Sequence, residues 1–221
     1  MKISRFLFAS AGALALAFLG GCAEMPLGSN PNPPAYKPHN PSAVRVKVSL
    51  SKQQVYVMEG DRPLLIAATC VGTPSKGITP TGTYTVFRKE AHKRSGTYGY
   101  YLSGGVYRAA EVGHGSGTYI GHPMAYWVEF KPGYGFHQGD VWPIPHSYGC
   151  LRLHKNVAPK FFALVQEGTP INIAVSQPED LTIGKNVPRP IDYNDPDPDP
   201  SISCNNATAF PAAPADLLIE Q

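Results

Sequence analysis

From Val44 onward apolar and polar positions alternate: Val44, Val46, Val48 and Leu50 are separated by polar residues, and Val55 and Val57 resume the pattern. A period of two marks a strand with one buried face, so two half-buried strands are expected here. Glu59-Gly60-Asp61-Arg62-Pro63 carries turn chemistry, and the apolar, β-branched-rich run from Leu64 to Val71 reads as a more buried strand. Residues 73–82 form a loop, residues 83–88 a further strand, and the Tyr/Gly-rich stretch from Gly96 to Tyr119 strands and loops bordering a cleft. Met124 to Phe130 and Gly133 to His137 continue the β pattern.

One substantial helix is expected. Asn156 can cap it, Val157, Phe161, Leu164 and Val165 fall on one face, Pro159 is tolerated in the first turn and Gly168 marks the stop. Ile171 to Val175 returns as a strand. Past Ser176 the composition shifts to proline, aspartate and asparagine, with Asp-Pro repeated from Asp195 to Pro200, so residues 176–221 are expected to be extended or disordered. The fold class is mainly β, a single domain over residues 43–175 with a small helix near the candidate site.

The amino terminus is a different kind of segment. Lys2 and Arg5 precede an apolar run of 14 residues from Phe6 to Leu19, too short to span a membrane comfortably and suited to a signal-peptide core. Leu19-Gly20-Gly21-Cys22 resembles a bacterial lipobox, which implies removal of residues 1–21 and lipidation of Cys22. Ala23 after it resembles lipoproteins sorted to an outer membrane. Residues 22–42 are rich in proline and read as a tether. The chain is therefore expected to be exported and held on a membrane by its lipid, facing the periplasm or cell wall.

Charge narrows the partners. With Lys2 and Arg5 removed, the 19 basic side chains become 17 against 16 acidic ones, so the field that nucleic-acid binding requires is absent. Of four cysteines, Cys22 is assigned to lipid; Cys70 and Cys204 either pair in the oxidising compartment or Cys70 is a buried strand residue.

Cys150 is the remaining thiol, and it lies in the richest stretch of the chain, from Phe136 to His154. A cysteine attacks as thiolate, so a base must hold or remove its proton. His137, 13 residues upstream, can return beside it from a neighbouring strand. Gly149 lets a substrate approach the backbone, where N–H groups near it could receive an oxyanion. Zinc ligation by Cys150 with His114, His122, His137, His146 or His154 is the competing chemistry, but their spacing matches no metal signature. His39 and His92 are expected to be solvated, and His154 to help seat the helix start.

His146-Ser147-Tyr148-Gly149-Cys150-Leu151-Arg152-Leu153 resembles the signature of the L,D-transpeptidase (YkuD-like) catalytic domain, whose usual core reads Ser-His-Gly-Cys followed by an aliphatic residue and Arg or Asn. Phe136-His137-Gln138-Gly139 is similar to the family's upstream His-Gly element, the Val71-Gly72-Thr73-Pro74 and Thr79 to Tyr84 segments to its opening region, and residues 168–173 to its closing strand. The likeness runs from about Val44 to Val175. It implies a β-sandwich or barrel, Cys150 as acyl-accepting nucleophile, His137 as general base, Ser147 and Gly149 as supporting flank, and Arg152 facing a stem-peptide carboxylate. The substrate class it implies is the peptidoglycan stem peptide, with no cofactor.

One position departs from the pattern: Tyr148 stands where the family has histidine. If the residues before Cys150 are extended, Tyr148 and His146 share a face and either can supply the missing donor. Tyr126, Trp127, Tyr134 and Trp142 are candidates for the groove wall, with Tyr126 and Trp127 foremost. The resemblance points to transpeptidation onto a second stem peptide or a wall protein. The alternatives are an L,D-carboxypeptidase and a peptidoglycan-binding lipoprotein with impaired catalysis.

Overall fold

The computed structural model describes residues 31–220. The expected signal peptide and the lipidation site Cys22 lie outside them. Ten strands follow in order: β1 (Val44–Ser49), β2 (Gln54–Glu59), β3 (Arg62–Ala68), β4 (Gly82–Thr85), β5 (Arg88–Ser103), β6 (Val106–Glu111), β7 (Thr118–Lys131), β8 (Tyr134–Gln138), β9 (Leu151–Leu153) and β10 (Pro170–Ala174). The helix α1 (Ala158–Leu164) stands between β9 and β10, and α2 (Pro200–Cys204) and α3 (Asn206–Ala209) lie in the tail. One sheet runs β3-β2-β1-β10-β4 and the other β6-β5-β7-β8-β9, each with a single parallel pair, β1 with β10 and β8 with β9. The architecture is a β-sandwich.

The alternation read from sequence sets the core. Val44, Val46 and Val48 of β1 and Val55 and Val57 of β2 are buried, and they join Val128, Phe130, Phe136, Leu151 and Leu153 of the second sheet and Phe161 and Leu164 of α1 in one cluster. Phe136 and Phe161 stack at 4.5 Å between ring centroids. Gly60, at φ +59°, opens the two-residue turn between β2 and β3, where a left-handed first position favours glycine.

Two of the expected elements change, the strand over 83–88 and the helix cap. The strand expected over 83–88 is two, because Val86 is buried at the crossing and β4 and β5 belong to different sheets. His92 accordingly lies on β5, its ring 5.1 Å from that of Phe210. Asn156 does not cap α1: Val157 is the N-terminal flanking residue and no side chain caps it, while the Asn156 N–H donates to His154 Nδ1 at 3.2 Å. His154 does seat the helix start, its carbonyl accepting from the N–H groups of Val157 and Ala158. At the other end Lys89 donates to the carbonyls of Phe162 and Val165, where an ammonium complements the helix dipole. Cys70 and Cys204 are both free thiols; Cys70 is fully buried at the end of β3, and Cys204 follows the tail onto the opposite sheet.

The tail is the largest difference. Residues 176–220 are packed against the domain with short helical turns. Asp180 is buried and accepts from Ser49 Oγ at 2.8 Å, Tyr56 OH at 2.7 Å and the Gln177 N–H at 3.0 Å. Asp192 accepts from the Val141 N–H at 3.2 Å, and Arg94 of β5 donates to the carbonyls of Ser203 and Cys204. Ile219 bridges Tyr36, so the tail ends beside the chain's own leading segment. Residues 31–42 of the expected tether also lie on the domain: Ala35 is buried and the Tyr36 N–H donates to the Leu64 carbonyl. The leading segment anchors through single apolar residues, Ala35 and Tyr36, and the tail through buried polar groups, neither of which hydrophobic periodicity reveals.

Candidate active site

The register of the second sheet assembles the site. Phe136 stands opposite Leu151, His137 opposite Arg152 and Gln138 opposite Leu153. On the other side of β8, Val128 pairs with Phe136 and Glu129 with Gly135. Side chains alternate, so Phe136, Leu151 and Val128 enter the core while the other set faces out. Two rows result on that outer face. One runs Trp127, His137, Arg152; the second holds Glu129 and Gly135, and Cys150, in the bend one residue before β9, has its sulfur against the Gly135 N–H. Cys150 and His137, the candidate nucleophile and base, therefore come to the same edge of the sheet. The Trp127 and His137 rings are 6.0 Å apart, as the first row requires.

The turn that carries Cys150 is held from behind by the segment after β3. Val71 O accepts from the N–H groups of both His146 and Ser147, and Thr73 N–H donates to Ser147 O. Thr79 Oγ1 accepts from the Gly72 N–H and donates to Gly149 O, both at 2.9 Å. Gly149 sits at φ +109°, and a Cβ there would come within 2.7 Å of the Tyr134 ring. Ser147 is 1% exposed; its hydroxyl donates to Cys150 O at 2.6 Å and accepts from the Gly149 N–H at 3.1 Å. That bond occupies the Gly149 N–H, so of the N–H groups near Gly149 considered for an oxyanion this one is already engaged. The segment is also bent rather than extended, with only Ser147 in a bridge, to Gly72.

The chain from residue 43 to 173 matches the family model of the YkuD L,D-transpeptidase catalytic domain. It belongs to that family. No curated protein matches the chain. Among solved structures it is similar to an L,D-transpeptidase from Stackebrandtia nassauensis, with 19% identity over 65% of this chain and 60% of that one and a TM-score of 0.45. It is also similar to Mycobacterium tuberculosis L,D-transpeptidase 1, with 22% identity over 60% of each chain and a TM-score of 0.44. The catalytic domain from Enterococcus faecium has 23% identity over 62% of this chain and all 100% of that one, with a TM-score of 0.43. The family assignment rests on the model match, and the chain spans 60% of the length of each of the first two structures.

Within this L,D-transpeptidase domain the charges favour a neutral resting pair. His137 Nδ1 lies 2.7 Å from Gln138 O, which can only accept, so Nδ1 carries the proton and Nε2 is left as acceptor. Burial pushes the imidazole down to about 4, against the raising effect of that hydrogen bond and with a lowering effect from Arg152. Burial pushes the Cys150 thiol up; the Gly135 N–H and Arg152 pull it down, and Glu129 pushes it up again. The half-buried sulfur lies 3.6 Å from Gly133 O, to which the thiol donates. At neutral pH the site holds thiol and imidazole, not thiolate and imidazolium.

The other expected site residues divide. Arg152 is on the catalytic face, its stem against Gly139, and its guanidinium has no ion-pair partner among the described residues. Trp127 is buried beside His137, whereas Tyr126, at φ +59°, packs its ring on Phe162 of α1 at 5.7 Å and lies away from the site. Tyr148 is 49% exposed, its ring 4.8 Å from that of Tyr98, with Lys76 over it at 5.4 Å. His146 stacks on Trp142 at 4.0 Å and its Nε2 is 3.5 Å from the Lys76 ammonium. Lys76 thus links the two candidates for the missing donor. Tyr134 forms the floor under Gly149. Among the described residues no group of three or more His, Cys, Asp or Glu side chains is placed to hold a metal ion.

Glu129, Gly133 and Thr79 were missed. Glu129 was within reach, since alternation from Trp127 puts it on the same face. The pairing of Thr79 with Gly149 carries no local signal.

Proposed function

We propose that the chain is a cysteine-dependent L,D-transpeptidase acting on peptidoglycan stem peptides through a thioester acyl-enzyme. The observation that carries the reading is the parallel pairing of β8 with β9, which sets His137 opposite Arg152, two residues after Cys150, with the imidazole Nε2 left to accept a proton. His137 takes the thiol proton as sulfur attacks the carbonyl of an L-to-D peptide bond. It then gives that proton to the departing D-alanine nitrogen, leaving the acyl group on sulfur. Arg152 offers a guanidinium for the donor's terminal carboxylate. With the Gly149 N–H engaged by Ser147, the oxyanion falls to the N–H groups of its neighbours Tyr148 and Cys150. An amine then resolves the thioester; with water in its place the same site is a carboxypeptidase.

Export and lipidation at Cys22 belong to the same proposal and are supported by the lipobox alone. Residues 31–42 lie on the domain, so of the expected tether only residues 22–30 fall outside the described part. Mass analysis of the processed amino terminus checks this. The enzymatic reading is tested by incubating the protein with disaccharide-tetrapeptides and with a carbapenem. Loss of D-alanine, cross-linked product and a carbapenem adduct that disappears in Cys150→Ala are expected. No product and no adduct would favour the wall-binding lipoprotein, and an adduct retained in Cys150→Ala would place the nucleophile elsewhere.

A further inference from the structure

We infer that Glu129 binds the primary ammonium of the acyl acceptor beside the Cys150 thioester. The groove is then polarised, with the Arg152 cation for the donor's carboxylate and the Glu129 anion for the acceptor's amine. This deepens the acyl-transfer reading above and rests on it.

The placement comes from register and from one shared residue. Glu129 pairs with Gly135 across β7 and β8, the Gly135 N–H faces the Cys150 sulfur, and Gly135 puts no side chain between the two groups. A Cβ at Gly135 would come within 2.8 Å of the Trp127 ring, so the gap is built in. Gly133 ties the two groups together: its N–H donates to Glu129 Oε1 at 3.0 Å and its carbonyl accepts from Cys150 Sγ at 3.6 Å. The carboxylate is fixed on its other oxygen by Trp127 Nε1 at 3.3 Å. Two neutral donors leave lone pairs unused, because a carboxylate offers about four acceptor sites.

No cation near it is committed to it. Arg88, opposite Glu129 on β5, pairs with Glu90 at 2.8 Å, and Lys131 lies over the Tyr134 ring at 5.1 Å. Arg152 stands at the other end, in the row of His137. Glu129 has no ion-pair partner among the described residues, and it is only half-buried. A carboxylate beside a nucleophilic thiol opposes its ionisation, as the upward push on Cys150 shows. That penalty vanishes once the sulfur is acylated and neutral, which is when the acceptor arrives.

The second half-reaction balances as follows. The acceptor binds Glu129 as an ammonium, releases one proton to solvent and attacks the thioester carbonyl as the amine. The carbon–nitrogen bond forms and the carbon–sulfur bond breaks. A second proton passes from that nitrogen to His137 Nε2 and on to the departing sulfur, which restores the thiol.

The test compares wild type with Glu129→Gln, using the disaccharide-tetrapeptide donor and two small acceptors at neutral pH: glycinamide, mostly an ammonium, and hydroxylamine, mostly neutral. Glu129→Gln should raise the half-saturating glycinamide concentration by about tenfold or more, the worth of one charged hydrogen bond. Relative to wild type, its rate with hydroxylamine should fall by clearly less than its rate with glycinamide, so the ratio of the two losses reads the charge of the acceptor. Equal losses with both acceptors, or none with glycinamide, would overturn the inference. In wild type alone, raising the ionic strength should weaken glycinamide and spare hydroxylamine, and an equal effect on both would overturn it too. No thioester at Cys150 in wild type would instead sink the acyl-transfer reading itself, and the inference with it.

Discussion

Replacing Ser147 by alanine should damage both stability and chemistry, because one hydroxyl closes the catalytic turn. It donates to Cys150 O at 2.6 Å and accepts from the Gly149 N–H at 3.1 Å, in a site 1% exposed. Alanine removes both partners at once and leaves an orphaned donor and acceptor with little access to water. An unsatisfied buried group costs about 1–3 kcal/mol, so the pair amounts to about 2–6 kcal/mol. At a typical urea dependence of about 2 kcal/mol per molar, the unfolding midpoint should fall by about 1–3 M. The serine also holds Gly149 at φ +109°, the conformation that sets the Cys150 carbonyl and N–H. Thioester formation with a carbapenem should therefore slow in the folded variant, measured by mass spectrometry below the new midpoint. A midpoint within about 0.3 M of wild type would refute the account of Ser147 as the closure of the turn, since that corresponds to about 0.6 kcal/mol.

Two further outcomes are expected. Cys150 is pushed up from the ordinary thiol value and His137 is pushed down to about 4, so no thiolate–imidazolium pair exists at neutral pH. Alkylation of Cys150 by iodoacetamide should keep accelerating as the pH passes about 8.5, and a plateau near neutrality would contradict the neutral pair. Asp180→Ala orphans the Gln177 N–H and takes the nearest acceptor from the Ser49 hydroxyl, while the Tyr56 hydroxyl keeps Gln54 Oε1, and it should cost about 2 kcal/mol in urea unfolding, although the residue lies beyond the matched family region. A loss below about 1 kcal/mol would show the tail to be loosely attached.

The strands were legible because one face of each is dry. Val44, Val46 and Val48 announce β1, and the core is built from them. The candidate pair Cys150 and His137 was legible because Gly149-Cys150 and the upstream His137 resemble the family's motifs, although the loop between them is shorter than the family's usual one. Tyr126 and Trp127 show where that reasoning stopped: adjacent aromatics face opposite sides of a strand, and only the register with β8 tells which one meets His137. Which N–H near Gly149 is left for an oxyanion was hidden for a related reason. Gly149 is where a bare backbone suits a substrate, but its N–H is spent on a side chain two residues away. The tail was illegible because Asp180, Asp192 and Arg94 anchor it by hydrogen bonds, and proline lowers the entropy that ordering must overcome.

Precision at the site is a property of the register of β9, and three residues paired to β8 are too few to secure it. A slip of one position would turn Arg152 into the core and Leu151 and Leu153 outward, and would move Cys150 off the face of His137. What prevents it lies on the far edge of β9. Arg152 and Cys70 exchange two backbone hydrogen bonds, each at 3.0 Å, and Thr69 Oγ1 adds a third bond to Arg152 O at 2.8 Å. The end of β3 thus closes one sheet onto the other just where the catalytic turn begins. Cys70 is fully buried at that closure, packed with Ala68 and Val141. The same few residues that join the two layers of the sandwich therefore fix the alignment of sulfur, imidazole and guanidinium.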